Sequence, residues 1–228
     1  MSNYKGKFDH LINNLERISS ENSIFNEESE HKAFLSLNQG NLNEWLDKLL
    51  PNTRLVIEPK IMGTSIVIQY INGQIIKAFN KNRENITNKV KLLKCIPENL
   101  PINKNIEIGG VVYDEKKKSI HNNHRKRLRP QQAPIERKGY KFCAFQIFHC
   151  KINHFEALKE LKNLNFEIPQ TEFTNFNSDI HIYRQYWKEG KLFKSYPTNG
   201  IVAKINSRKL QKYLGENNLS IHWAYAIN

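Results

Sequence analysis

The 228-residue chain carries 35 Lys and Arg against 22 Asp and Glu, a net charge of +13, and 39% of its residues are apolar. That is enough apolar material for the core of one principal domain, and the cationic excess makes polyanions the natural partners. No stretch approaches the roughly 18–20 apolar residues of a membrane helix and the N-terminus lacks an apolar signal core, so a soluble, cytoplasmic protein with no membrane partner is expected.

Phe8, Leu11, Leu15 and Ile18 recur at helical spacing, and the polar, acidic run to Glu30 sets this helix apart as an N-terminal appendage over 1–30. The main domain is expected over 31–228. Asn41 and Glu44 form a capping-box pattern ahead of Leu42, Trp45, Leu46 and Leu49, and Pro51 stops the run, which predicts a short helix over 42–50. Leu55–Ile57, Ser65–Tyr70 and Gln74–Ala78 are rich in β-formers, with Asn72-Gly73 as a hairpin signal between the last two. Lys60 is then expected on a connection between strands of one sheet.

Asn85–Leu93 has a weaker helical pattern ending before Pro97, while Ile106–Tyr113 and Lys141–Phe148 read as buried strands. Asn153 and Glu156 can cap a helix that turns Phe155, Leu158, Leu161 and Leu164 inward. Ile201–Ile205 is a further strand, and Ser207 starts a helix that runs through Leu214 and ends at Gly215. With no internal repeat and no regular βαβ alternation, an α+β fold built on antiparallel sheets is predicted.

Cys95, Cys143 and Cys150 are odd in number and lack C-x-x-C spacing, so they read as reduced core residues rather than a disulfide framework or a zinc site. His121 and His124 are closely spaced but have no third ligand, and no metal is assigned to them. Charge is unevenly spread. Residues 1–30 hold three basic and six acidic side chains, whereas 116–141 hold ten basic residues and one acid, Glu136. Arg125, Lys126, Arg127 and Arg129 lie at the centre of that segment, and planar guanidinium forks suit phosphate, which makes it a candidate nucleic-acid contact; the plainer reading is a solvated basic loop.

Lys60 is the candidate for chemistry. In Val56-Ile57-Glu58-Pro59-Lys60-Ile61-Met62-Gly63 a single lysine stands between an apolar strand and a glycine, a setting for a nucleophilic amine. This segment resembles the E-P-K-x-D-G motif of the adenylation domain of bacterial NAD-dependent DNA ligases, and further fragments follow in the family's order. His31 to Asn38 resembles H-x-x-P-M-L-S-L-x-N, and Lys77 to Asn82 resembles R-A-A-T-R-G-D-G with Lys81 at the arginine. Glu107 to Tyr113 stands at E-V-R-G-E-V-Y, with Gly109 for the arginine and Val111 for the second glutamate. Asn123-His124-Arg125 resembles N-P-R. Thr198 to Ile205 resembles I-D-G-V-V-I-K-V with Asn199 for the aspartate and Lys204 at the lysine, and Ser220 to Asn228 resembles A-P-R-W-A-I-A-Y-K with His222 at the arginine and Asn228 at the last lysine.

The resemblance implies a nucleotidyltransferase fold, antiparallel sheets flanked by helices with the nucleotide cleft between them. It implies that Lys60 takes AMP from NAD, with ATP as the alternative donor, as a phosphoramide, and passes it to a nucleic-acid 5′-phosphate in duplex or nicked DNA. Glu58 would meet the adenine edge, Ser36 and Leu37 would line the pocket, and Gly63 would let the backbone approach. Lys204 and Lys81 would lower the Lys60 pKa and hold the phosphate, and Glu107 matches a further nucleotide contact. The carboxylates lost at Met62, Val111 and Asn199 weaken the case for Mg2+. No match to the family's nicotinamide-recognising module is found in 1–30, and a protein partner supplying further ligase domains is expected. The same losses leave open a second reading, a catalytically impaired ligase-fold module that binds nucleotide or DNA as an accessory protein.

Overall fold

The computed structural model describes residues 36–116, 139–217 and 220–228. The predicted N-terminal helix, the segment before Ser36 and Arg125, Lys126, Arg127 and Arg129 lie outside them. Within the predicted 31–228 domain the described residues fall into two compact units, one of 65–112 and 142–168, the other of 36–64, 169–228 and the strand ends beside them.

The first unit holds a four-stranded sheet of order β4-β3-β5-β6, made of β3 (Thr64–Ile71), β4 (Gln74–Asn80), β5 (Ile106–Asp114) and β6 (Tyr140–Ile147). The β3–β4 hairpin turns where the dipeptide signal lies: Asn72 and Gly73 have φ of 50° and 76°, the pair of positive values that matches the right-handed strand twist. Helix α2 (Thr87–Lys91) is shorter than its predicted span. Helix α3 (His154–Asn163) has the expected Asn153/Glu156 capping box, and Leu158, Leu161 and Leu164 are fully buried. Phe155 departs from the expectation. It is only half-buried, with the Lys159 ammonium 4.6 Å from its ring centre, and His154 takes the buried place. Tyr70 and Phe142 both meet Phe166, at 6.2 and 6.0 Å between ring centres, closing the core. The Tyr70 hydroxyl donates to the Pro97 carbonyl, and burial pushes its pKa upward.

The second unit holds a five-stranded sheet of order β1-β9-β8-β2-β7. Its strands are β1 (Ser36–Asn38), β2 (Leu55–Ile61), β7 (Glu172–Phe173), β8 (Thr198–Ile205) and β9 (Ser220–Ile227). The β2–β7, β2–β8 and β8–β9 pairs are antiparallel, as predicted, but β1 runs parallel to β9. Helices α1 (Leu42–Leu46), α4 (Ile180–Lys188) and α5 (Arg208–Leu214) accompany it. Helix α1 ends four residues before the predicted limit, its Asn41 side chain accepting from the Asn43 N–H. Gly215, at φ 66°, ends α5 in the left-handed conformation that suits glycine.

One face of this sheet is a core. Leu55, Ile57, Ile201, Ala203, Ile205, Tyr225 and Ile227 pack with Trp45, Ile180 and Trp187 from the helices. Because side chains alternate along a strand, Val56, Glu58 and Lys60 of β2 are left on the opposite face. Lys60 is the penultimate residue of β2 itself rather than part of a connection within one sheet. The two-residue link Met62-Gly63 then carries the chain from the five-stranded sheet into β3 of the other sheet.

Candidate active site

The register of β2 on β8 sets Val56 opposite Lys204 and Glu58 opposite Val202. Lys204 and Glu58 are therefore diagonal neighbours on the non-core face, within reach of a long side chain. Their ion pair is 2.8 Å long, and both residues are almost fully buried, at 4% and 3% exposure. A buried ammonium and carboxylate persist where each neutralises the other's charge.

Next along β2 the ladder shifts. Pro59 pairs with Ile201 and Ile61 with Thr198, so Asn199 and Gly200 together stand opposite Lys60 alone. Such a bulge re-aims side chains at a strand end. Pro59 suits the place, since it has no N–H to lose from the ladder. Lys60 donates from Nζ to the Asn228 Oδ1 at 2.7 Å, and burial lowers its pKa below the ordinary 10.5. Gly200 makes that contact possible: a Cβ there would come within 2.9 Å of Asn228 Oδ1 and against the Ile227 carbonyl. The Asn228 main-chain oxygen in turn accepts from Arg184 Nε and Nη2, at 3.3 and 3.1 Å.

The expected residues are thus partly assembled. Glu58, Lys60 and Lys204 share one face of one sheet, with Asn228 at its edge. Lys204 is held at Glu58, and the cause of the lowered Lys60 pKa is burial rather than an adjacent cation. Leu37, in β1, packs against the apolar cluster on the core side, and Ser36 begins the same strand. Gly63 is exposed just after β2. Lys81 and Glu107 belong to the other unit, Lys81 exposed after β4 and Glu107 buried in β5, where its Oε2 accepts from Gln69 Nε2 at 3.1 Å.

The substituted positions are equally well defined. Met62 donates its backbone N–H to the Pro197 carbonyl, Val111 is buried, and Asn199 is exposed on the bulge. At Gly109 a Cβ would lie 2.8 Å from the Phe148 ring, so the ring fills the space that a side chain would need. Thioether, isopropyl and amide groups supply none of the charged oxygens that hold Mg2+, and no group of three or more His, Cys, Asp or Glu converges among the described residues. Among the described residues, then, no all-protein cage for magnesium is assembled, and Mg2+ would enter with the nucleotide's phosphates.

The family model described as the NAD-dependent DNA ligase adenylation domain matches residues 15–135. The chain belongs to this family. An adenylation-domain protein of this kind is similar to a DNA ligase of Metamycoplasma arthritidis, 28% identical over a gapped alignment of 257 positions that covers 96% of this chain and 38% of that ligase. It is also similar to a DNA ligase of Petrotoga mobilis, 30% identical over 199 residues covering 75% of this chain and 30% of the ligase. The chain spans about a third of the length of these curated relatives. Among solved structures, a Naegleria gruberi RNA ligase with PPi aligns with a TM-score of 0.48 and 17% identity, over 92% of this chain and 59% of that one. The strand pairings described above give this adenylation domain a mixed α+β fold with predominantly antiparallel sheets.

Arg184 and the use made of Asn228 were missed in the sequence. Ile180, Tyr183 and Trp187 recur at helical spacing and signal α4, which would have put Arg184 on a turn of helix beside Tyr183.

Proposed function

We propose that the chain is a ligase-type adenylyltransferase in which Lys60 forms a lysyl-AMP intermediate from NAD and passes AMP to a nucleic-acid 5′-phosphate. The observation that carries this is the face of β2 and β8, where a burial-perturbed lysine lies two residues along the strand from a buried carboxylate–ammonium pair. Adenine offers an amino donor at N6 beside an acceptor at N1. The Glu58 carboxylate accepts and the Lys204 ammonium donates, side by side, so together they complement that edge. On this reading Lys204 serves the base rather than the phosphate, because it is tied to Glu58.

With the base anchored there, the uncharged Lys60 amine attacks the α-phosphorus. A nitrogen–phosphorus bond forms, the bond to the nicotinamide mononucleotide phosphate breaks, and the amine loses its extra proton to solvent. Burial favours the neutral amine that this step needs. No step is routed through a metal. Residues 116–141, with Arg125, Lys126, Arg127 and Arg129, are proposed to hold duplex or nicked DNA, and a protein partner is proposed to assist nick sealing. The cytoplasm is the proposed location; among the described residues no helix is long and apolar enough to cross a membrane.

Intact-mass spectrometry after incubation with NAD and magnesium, or with ATP and magnesium in a parallel sample, tests the reading. Gain of one AMP by the parent and none by Lys60→Ala is expected. No adduct from either donor would refute it and leave a nucleotide- or DNA-binding module. DNA affinity should fall steeply with salt, since phosphate contacts release counterions. Neutralising Arg125, Arg127 and Arg129 should flatten that dependence.

A further inference from the structure

The bond from Lys60 to Asn228 is one link of a longer chain. Helix α4 presents Arg184, whose Nε and Nη2 both donate to the Asn228 main-chain oxygen, and the side chain of the same Asn228 accepts from Lys60 Nζ at 2.7 Å. Two donors from one guanidinium converging on a single oxygen hold it in position more firmly than one contact does. Gly200 independently leaves the room that the Asn228 amide occupies. These groups come from β2, α4, the end of β9 and the bulge on β8. Lys60 lies on the face of the sheet away from the apolar core, whereas α4 packs on the core face through Ile180 and Trp187, and Arg184 reaches Asn228 at the end of β9.

We propose that Arg184 and Asn228 form a clamp that positions the Lys60 amine, with Asn228 the positioning residue in contact with it and Arg184 acting through Asn228. The inference rests on Lys60 being the nucleophile. The clamp holds the amine in one rotamer before the donor arrives, which removes the orientational cost of reaching an in-line attack geometry. Lysine has four rotatable side-chain bonds to order, and an unreacting neighbour that orders them beforehand lowers that cost. The charged groups on the same face, Glu58 and Lys204, are engaged with each other, and Arg184 is directed at the Asn228 main-chain oxygen.

Single-turnover adenylation by the full chain should show a maximal rate reduced 10- to 100-fold in Asn228→Ala and in Arg184→Ala, with the half-saturating NAD concentration unchanged. Arg184→Lys should recover only part of the loss, because one ammonium cannot reproduce the paired donation. The double variant should be no slower than Asn228→Ala alone, as expected for residues acting in series. A raised half-saturating concentration with an unaltered maximal rate, or losses that multiply in the double variant, would overturn the clamp.

A second readout needs no adenylation. Limited trinitrobenzenesulfonate modification, mapped by peptide mass spectrometry, should label Lys60 faster in Asn228→Ala than in the parent, with the exposed Lys191 as internal reference. Equal Lys60 labelling in the two proteins would also overturn the clamp. Absence of an AMP adduct in the parent, with Lys60 still released by Asn228→Ala, would instead sink the proposed nucleophile and leave the contact standing.

Discussion

Replacing Lys204 by methionine should separate what the buried ion pair does for stability from what it does for nucleotide. The variant deprives Glu58 of an ammonium 2.8 Å away in a place where both residues are almost fully buried. Removing one partner of such a pair typically costs about 3–5 kcal/mol, because the remaining charge keeps its desolvation penalty. For a chain of this size each kcal/mol moves the melting temperature by about 2–4 °C, so a fall of roughly 6–20 °C is expected in thermal denaturation followed by circular dichroism.

The pH dependence of that deficit has a definite sign. In the variant the buried Glu58 prefers its neutral form, so its folded pKa rises above the unfolded value of about 4.3. A carboxyl whose folded pKa is raised destabilises the fold increasingly as pH climbs through that window, and the gap to the parent should narrow toward pH 4–5. The double variant Glu58→Leu/Lys204→Met removes both charges and should regain most of the lost stability. It should still take up no AMP, since neither the acceptor nor the donor for adenine remains. A Lys204→Met protein that melts within about 2 °C of the parent, or a double variant that is adenylated at the parent rate, would refute the reasoning.

Adenylation should rise with pH and level off below the ordinary lysine value of 10.5, because burial favours the neutral Lys60 amine; initial rates of AMP incorporation across a pH series check this, and a plateau at or above 10.5 contradicts it. Gly73→Ala should cost about 2 kcal/mol or more, since φ is 76° and a Cβ would meet the backbone oxygens of Ile102 and Leu100 at 2.5 Å; urea denaturation gives the value, and a loss under 0.5 kcal/mol would contradict the turn geometry. Gly109→Arg, which restores the residue of the family motif, should lose about 1–3 kcal/mol to overlap with the Phe148 ring. Adding Phe148→Ala should make the double variant more stable than the sum of the single effects, and simple additivity would count against that overlap.

What was legible in the sequence follows the range of the interaction that decides it. Asn72-Gly73 dictates its own turn, Asn153 with Glu156 caps its own helix, and Gly215 ends one, so each is written within a few residues. The fate of Lys60 is not local in this sense. Val56, Glu58 and Lys60 are two apart, which puts them on one face of any strand, but which lysine meets Glu58 depends on β2 lying against β8 in the register that sets Val56 opposite Lys204. Shift that register by one residue and Lys204 would turn toward the apolar core. The parallel β1–β9 pair joins residues about 180 positions apart, and the passage from β2 to a different sheet needs only Met62-Gly63, a link with no turn signature. The motif resemblance supplied Lys204 and Glu58 as names without a pairing. The strand register makes the charge of one the counterpart of the other, and with that pairing the role read for Lys204 moves from the phosphate to the base.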